Sequence, residues 1–380
     1  MWPEVAERDW RWALLEIERA CAAVLGGKHP SSLTAEPAAM ALAGYTSGMG
    51  PMLGHWLGQG LIHLPTAPAE ACEHQLCANT VRMERLLGHA KELTARLAAG
   101  GVRATVLKGA YTASSYFPQA GCRPMSDIDI LISPDDANTA QRVLQALAYR
   151  QTARTSLETT WVHANAAVEP RTMRSLEADD PWAIDLHLSL DIPGPPGSAP
   201  ARLSQARHAT KPCEALPDAE QLAQPMLLLH LAAHAGSGFH NLTLLRLLEV
   251  VLVARVDAAN GSLSWEDFAD LGAATGSLAF AFPALALARQ LSPDDIPREI
   301  VERCAQAAPP RIRRLVDRLR PATAHRIDRP TLREHFAWTS GPGGWLRRLA
   351  ADILPEPRSL RRTAAIHASR ARGLLNREVT

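Results

Sequence analysis

The sequence predicts an α+β protein: a small mixed β-sheet core, residues 101–202, between an N-terminal helical region, residues 1–100, and a C-terminal helical domain, residues 203–380. Three observations predict it. Apolar residues recur every three or four positions through the first hundred residues, the period shortens to β-rich runs after Gly100-Gly101, and a helical pattern returns from about Asp218 and holds to the end.

In the first region, Trp10, Ala13, Leu14 and Ile17 form one apolar face, and Leu86, Leu87, Ala90, Leu93 and Leu97 form another, closed by the glycine pair as a C-cap. Val102 to Leu107 then reads as a strand, Lys108-Gly109 as a turn, Ala110 to Phe117 as a helix, and Asp127 to Ile132 as an alternating strand ended by Ser133-Pro134. Asp135 to Tyr149 reads as a helix, with Ser133 as N-cap and Asp135-Asp136 in the first turn, where carboxylates favour the helix dipole. Strands are expected near Thr159 to Val168 and over Trp182 to Leu190, before a Pro/Gly-rich connection from Asp191 to Arg202. Breaks in the helical remainder fall at Gly236 to Gly238, Pro309-Pro310 and Gly341 to Gly344.

Composition narrows the class. A chain of 380 residues with 47% apolar content buries a substantial core. The first thirty residues carry charges throughout and lack the apolar run and cleavage site of a secretory signal, so a cytoplasmic location is expected. No segment reaches the roughly eighteen uncharged apolar residues of a membrane span. The cysteines, Cys21, Cys72, Cys77, Cys122, Cys213 and Cys304, are scattered without a C-x-x-C pair and read as free thiols. Net charge is +1, yet residues 311–380 hold sixteen Arg against six Asp or Glu, which leaves the rest of the chain at −9. Two readings compete for that basic tail. Its arginines alternate with Ile312, Leu315, Val316 and Leu319 at helical spacing, which favours an amphipathic helix docked on the acidic body over a nucleic-acid surface.

The chemistry concentrates in two short strands. In Ser126-Asp127-Ile128-Asp129-Ile130, alternation sends Asp127 and Asp129 to one face, about 7 Å apart along the strand, and the isoleucines to the other. Two such carboxylates repel unless a cation lies between them, and a hard divalent metal is the natural partner. Ala183-Ile184-Asp185-Leu186-His187 repeats the pattern and offers Asp185 as a third ligand, with His187 beside it. A carboxylate cage holding two Mg²⁺ ions is the layout of nucleotidyl transfer. The competing reading is that the aspartates only solubilise an outer strand face. His230 and His234 share one helical face at i, i+4, but no third ligand stands near them, so packing or cleft-lining roles are expected rather than zinc. Arg246 and Glu249, at i, i+3, are expected to pair on their helix.

Three segments together, Val106-Leu107-Lys108-Gly109-Ala110, Arg123-Pro124-Met125-Ser126-Asp127-Ile128-Asp129-Ile130-Leu131-Ile132 and Ala183-Ile184-Asp185-Leu186-His187, resemble a poorly characterised bacterial nucleotidyltransferase family of the DNA polymerase β-like superfamily, over roughly residues 80 to 255. The resemblance implies transfer of a nucleoside monophosphate from an NTP to an acceptor, whether small molecule, peptide or protein, or RNA end. It implies Mg²⁺ or Mn²⁺ on Asp127, Asp129 and Asp185, and a nucleotide held by Lys108, Gly109, Arg123 and Ser126. His187, His230, His234 and Arg246 would stand around the acceptor cleft. The superfamily's Gly-Ser phosphate turn is replaced here by Lys108-Gly109, and Glu249 replaces the aspartate of an R-x-x-D element beginning at Arg246. The missing Gly-Ser turn gives one rival its footing, a non-catalytic nucleotide-binding or regulatory protein on the same fold, and the basic tail gives another, an RNA-modifying or RNA-binding factor.

Overall fold

A computed structural model describes residues 4–28, 32–166, 182–194, 198–206, 209–239, 242–325 and 336–339, with Gly343 and Leu346. The N-terminal region folds as α1 (Glu7–Leu25), α2 (Pro37–Ser47), α3 (Gly50–Gly58) and α4 (Thr66–Ala99). Ala13, Leu14 and Ile17 of α1 and Leu86, Ala90, Leu93 and Leu97 of α4 are buried, as their spacing requires. At about 1.5 Å per residue the 34 residues of α4 run some 50 Å. The helix also braces the segment that enters the sheet: Asn79 Nδ2 donates to Gly121 O at 2.7 Å and Arg82 Nε to Met125 O at 3.3 Å.

The middle of the chain gives β1 (Thr105–Val106), α5 (Lys108–Ser115), β2 (Asp127–Leu131), α6 (Ala137–Ala146), β3 (Tyr149–Arg154), β4 (Glu158–His163), β5 (Ala183–His187), β6 (Thr210–Pro212) and β7 (Glu220–Leu222). The seven strands lie in the order β3-β4-β5-β2-β1-β7-β6, with β1/β7 and β2/β5 parallel and the other pairs antiparallel. The sheet is therefore mixed, and helices flank it on both sides.

Several boundaries differ from the sequence reading. The helix expected to reach Tyr149 stops at Ala146, and Tyr149 opens β3, where it is the single buried residue of six. An edge strand with five exposed positions carries no apolar alternation to read. The helical reading from about Asp218 is corrected at Glu220–Leu222, which joins the sheet beside β1 with Thr105 opposite Glu220. Three residues are too few to show a period, so main-chain pairing alone identifies them. The strand expected near Thr159 to Val168 is β4 up to His163; positions 167 and 168 lie outside the described residues.

The C-terminal helices are α7 (Met226–Gly236), α8 (Leu244–Ala259), α9 (Trp265–Thr275), α10 (Leu278–Leu291), α11 (Arg298–Ala307) and α12 (Pro310–Val316). Side-chain caps begin two of them: Thr243 accepts from Arg246 N and Ser264 from Asp267 N. All but one residue of α7 is buried, and it packs against α10 so closely at Gly236 that a β-carbon there would lie 2.0 Å from Phe280 O. The beginning of the basic tail docks: Ile312 and Val316 are buried, and Arg320 Nη2 lies 2.7 Å from Glu18 on α1. Arg311, Arg314 and Arg318 remain exposed, and most of the tail beyond residue 325 lies outside the described residues. Five cysteines are buried, Cys77 is exposed, and none is bridged. Among the described residues no helix is long and apolar enough to cross a membrane.

Candidate active site

The parallel pair β2/β5 sets the site. Ile128 and Ile130 on one strand and Ile184 and Leu186 on the other are at most 1% exposed, which fixes the alternate residues Asp127, Asp129, Asp185 and His187 on the opposite face. Asp129 stands directly across from Asp185, and Ala183 N–H donates to Ser126 O at 3.0 Å where the strands begin to run together. Three carboxylate oxygens, one each from Asp127, Asp129 and Asp185, consequently lie within 4.8 Å of one another.

Asp129 is the best-partnered of the three. Its Oδ1 receives Lys108 Nζ at 3.0 Å and His187 Nε2 at 2.9 Å. Burial works to raise its pKa, but Lys108 and His187 outweigh burial and hold the carboxyl well below the usual range. Asp127 shifts upward, first through burial and then through the charge of Asp129, against the pull of Lys108, Arg246 and Arg123. Asp185 is pushed up to about 6, chiefly by burial and also by the charges of Asp129, Asp127 and Glu158, while the Thr160 hydroxyl acts in the other direction. Its Oδ1 is buried without a hydrogen-bond partner. Three hard oxygen donors, two of them raised by confinement and one orphaned, make the donor set a divalent cation needs, so the residues fit a metal.

Lys108 owes its place to the β1–α5 junction. Leu107 N–H donates to Asp129 O at 3.0 Å, which pins the junction to β2, and Lys108 turns there with φ +21°, a value rare outside glycine. At Gly109 a β-carbon would lie 2.3 Å from Met125 Sδ and 2.9 Å from Arg123 Nη1, so a larger residue would make those side chains shift. Leu107, the N-cap of α5, has no side-chain acceptor, so the first-turn N–H groups keep their capacity for an anion. Ser126, next to Asp127 in the chain, is exposed.

The remaining expected residues divide. Arg123 lies in a buried bidentate pair with Glu249, Nε to Oε1 at 2.8 Å and Nη2 to Oε2 at 2.9 Å, and the Thr112 hydroxyl bonds the same carboxylate. The pair expected between Arg246 and Glu249 is thereby corrected. A planar guanidinium from another element matches both carboxylate oxygens, which an i, i+3 neighbour on the same helix does not. Arg246 instead places Nη1 3.2 Å from His234 Nδ1. His230 and His234 face each other at 5.9 Å between ring centroids; burial, then Lys108, depresses His230 to about 3, and Lys108, then burial, holds His234 well below its ordinary value. Neither histidine joins a metal-ligand group among the described residues. A narrow cleft with room for about one water lies between α5, α7 and α8, lined by Lys108, Arg123, Leu231, His234, Arg246 and Glu249 among others.

Sequence reasoning found β4 as a strand but missed the part that Glu158 and Thr160 play beside the site. Glu158 lies opposite His187 and Thr160 opposite Asp185, and Glu158 Oε2 approaches His187 Nδ1 at 3.3 Å. The chain Glu158–His187–Asp129 crosses three strands. The one signal available was the alternation Glu158-Thr159-Thr160, which gives β4 the same polar face as its neighbours.

A mixed sheet presents three convergent carboxylates, beside a lysine at the head of a helix, in an arrangement that fits a divalent cation. The family follows from comparison: a model described as "uncharacterised nucleotidyltransferase" matches residues 45–293, about two thirds of the chain. This protein belongs to that family, and the match is wider at both ends than the motif-bearing segment 80–255, running from the end of α2 to just past α10. Searches of curated proteins and of solved structures return no match.

Proposed function

We propose that this protein transfers a nucleoside monophosphate from an NTP to an acceptor hydroxyl, phosphate or amine. The convergence of Asp127, Asp129 and Asp185 within 4.8 Å carries the reading. Asp127 and Asp129 would hold two divalent cations, Mg²⁺ or Mn²⁺, and Asp185 one of them; bound there, the ions supply Lewis-acid activation and neutralise phosphate charge. The acceptor atom attacks the α-phosphorus, the bond to the bridging oxygen of the β-phosphate breaks, and pyrophosphate leaves. Asp185, with its raised pKa, is suited to take the acceptor's proton. Lys108 orients Asp129 through their 3.0 Å contact and, with the first-turn N–H groups of α5, meets the triphosphate. Ser126, exposed beside Asp127, would contact the nucleotide. Arg123, committed to Glu249, acts on this chemistry by holding α5 against β2. The cytoplasm, where NTPs abound, is the compartment such chemistry requires.

The test is incubation of the protein with each α-labelled NTP, Mg²⁺ or Mn²⁺, and cell extract. Label moves to one species with release of pyrophosphate, and Asp127→Ala abolishes the transfer. Absence of transfer from all four NTPs across a wide acceptor panel would leave a non-catalytic binding protein. RNA as acceptor is favoured by one observation, the exposure of Arg311, Arg314 and Arg318 beside Phe336. RNA retained at low salt and released at high salt supports it; no retention at low salt removes it.

A further inference from the structure

Asp185 stands between two strands that treat it differently. From β2, Asp129 faces it directly and Asp127 adds an oxygen to the same 4.8 Å cluster, so that side presents like charge. From β4, its partner is Thr160. Leu188 N–H donates to Leu157 O at 2.7 Å, which makes Leu157 and Leu188 a hydrogen-bonded pair of β4 and β5. By alternation Thr160 and Asp185 form a non-hydrogen-bonded pair, the kind in which facing α-carbons close to about 4.5 Å and side chains stand nearest one another. The place of Thr160 is fixed from both of its neighbours' sides. Thr159 and Trp161 are 2% and 1% exposed, and Trp161 Nε1 donates to Thr159 Oγ1 at 2.9 Å, which commits them to the core face and sends Thr160 to the face of the carboxylates. On the other flank the register slips. Gln151 faces Trp161 and Ala153 faces Thr160, which leaves Thr152 as an extra residue in β3, and its hydroxyl donates to Thr160 O at 3.2 Å. Such a bulge bends its strand and re-aims side chains beside it, and this one bears on β4 at Thr160. A β-branched side chain has few rotamers, so the oxygen is placed with the backbone.

We infer that Thr160 is a positioning residue for the metal site: its hydroxyl steadies the Asp185 carboxylate from β4 and leaves Oδ1 for a cation shared with Asp127 and Asp129. Two features of Asp185 agree with this. Burial, Asp129, Asp127 and Glu158 disfavour its ionised form and the Thr160 hydroxyl opposes them, while Oδ1 is buried with no hydrogen-bond partner. Without the hydroxyl, nothing on the β4 side would offset the repulsion from β2, and the carboxylate would be free to turn away from the cluster. Thr160 acts only through Asp185. The inference rests on reading the three carboxylates as a cation site, but on neither the acceptor nor turnover.

The experiment is calorimetric titration of the full-length protein with Mn²⁺, with the melting temperature in EDTA as the companion measurement. Valine keeps the shape and strand preference of threonine and removes only the hydroxyl. Thr160→Val is expected to weaken Mn²⁺ about tenfold, within the range set by outer partners of metal ligands. Its EDTA melting temperature should stay within about two degrees of wild type. Thr160→Ser, which restores the hydroxyl, is expected to recover most of the lost affinity. Thr160→Ala carries the same test should the valine variant fail to fold. Unchanged Mn²⁺ affinity on loss of the hydroxyl overturns the inference, and so does a serine variant as weak as the valine one. A loss of affinity matched by a fall of several degrees in EDTA also overturns it, because Thr160 would then serve strand packing. Wild-type protein that binds no Mn²⁺ overturns the cation-site reading and this inference with it. Protein that binds Mn²⁺ yet consumes no NTP overturns the transfer reading alone, because the affinities decide the role of Thr160 without turnover.

Discussion

Two buried charge clusters flank α5, and they are built on opposite principles. In the clamp, Arg123 meets Glu249 through two parallel hydrogen bonds and Thr112 adds a third; further along the helix, Tyr116 donates to Asp257 Oδ2, which also receives Gln224. In the clamp the buried cation and anion, Arg123 and Glu249, meet each other, and the carboxylate of Asp257 is hydrogen-bonded. In the acid row, three carboxylates share Lys108 and His187 on one oxygen of Asp129, Asp127 and Asp185 are shifted upward, and Asp185 Oδ1 has no partner. Comparable burial thus yields one cluster that satisfies itself and one whose geometry fits a cation. The first secures the helix that carries Lys108; the second is where chemistry is proposed.

The comparison breaks if substitutions in the two clusters have the same consequences. Asp127→Ala and Asp129→Ala should lower label transfer by at least about 10³-fold, because they remove cation ligands. Asp127→Ala should at the same time leave the metal-free melting temperature unchanged or raised, since it relieves like-charge repulsion. Glu249→Ala should do the reverse in emphasis. Stranding the buried Arg123 guanidinium costs about 3–5 kcal/mol, read from urea unfolding. Replacing both partners with apolar residues, Arg123→Met with Glu249→Leu, should cost much less than the single change. A Glu249→Ala variant as stable as wild type would show that the clamp is not what holds α5.

The acid row was legible in the sequence because strand alternation is a local rule: Asp129 and Asp185 each sit between apolar residues, and Asp127 precedes Ile128, so the buried face is named. The clamp was not legible. Arg123 and Glu249 are 126 positions apart, and the nearest local rule paired Glu249 with Arg246 instead. Lys108 was found by its motif, but its contact with Asp129 depends on where the β1–α5 junction meets β2. Glu158 and Thr160 were missed because their significance lies in cross-strand register, which no single strand displays. The strands β3, β6 and β7 were missed for want of apolar periodicity.

Proton linkage sharpens the contrast. Burial, chiefly, raises the folded pKa of Asp185 to about 6 from its ordinary value of 3.8. The folded state therefore binds this proton more tightly than the unfolded chain, and the stability so contributed is fully present below 3.8 and lost as pH rises through about 6. In EDTA, Asp185→Asn should melt higher than wild type at pH 7 and converge with it near pH 4. A bound cation reverses the sign, because it needs the ionised carboxylate. Mn²⁺ affinity should fall up to about tenfold per pH unit below 6 if one proton is displaced. Parallel melting curves for wild type and Asp185→Asn from pH 4 to 7 would refute the assigned shift.

The smallest effect expected lies at the outer edge of the acid row. Glu158 approaches His187 Nδ1 at 3.3 Å with its side chain 39% exposed, so water screens the pair and its contribution to folding should stay below about 1 kcal/mol. Its influence on the site runs through the imidazole. With Glu158 beside Nδ1, the ring keeps Nε2 aimed at Asp129 Oδ1, 2.9 Å away, and that orientation fixes which carboxylate oxygen is left for a cation. Outer partners of metal ligands commonly contribute 10- to 100-fold in affinity, and the exposure of Glu158 places it at the low end. Glu158→Gln should therefore weaken Mn²⁺ by about tenfold or less, measured by titration at pH 7.5, with a melting temperature within a degree or two of wild type. The exposed pair Arg298–Glu302, at 2.7 Å, is the control: Glu302→Gln should change neither quantity. If Glu158→Gln also leaves Mn²⁺ affinity untouched, Glu158–His187 belongs with the surface pairs, and the acid row ends at β5.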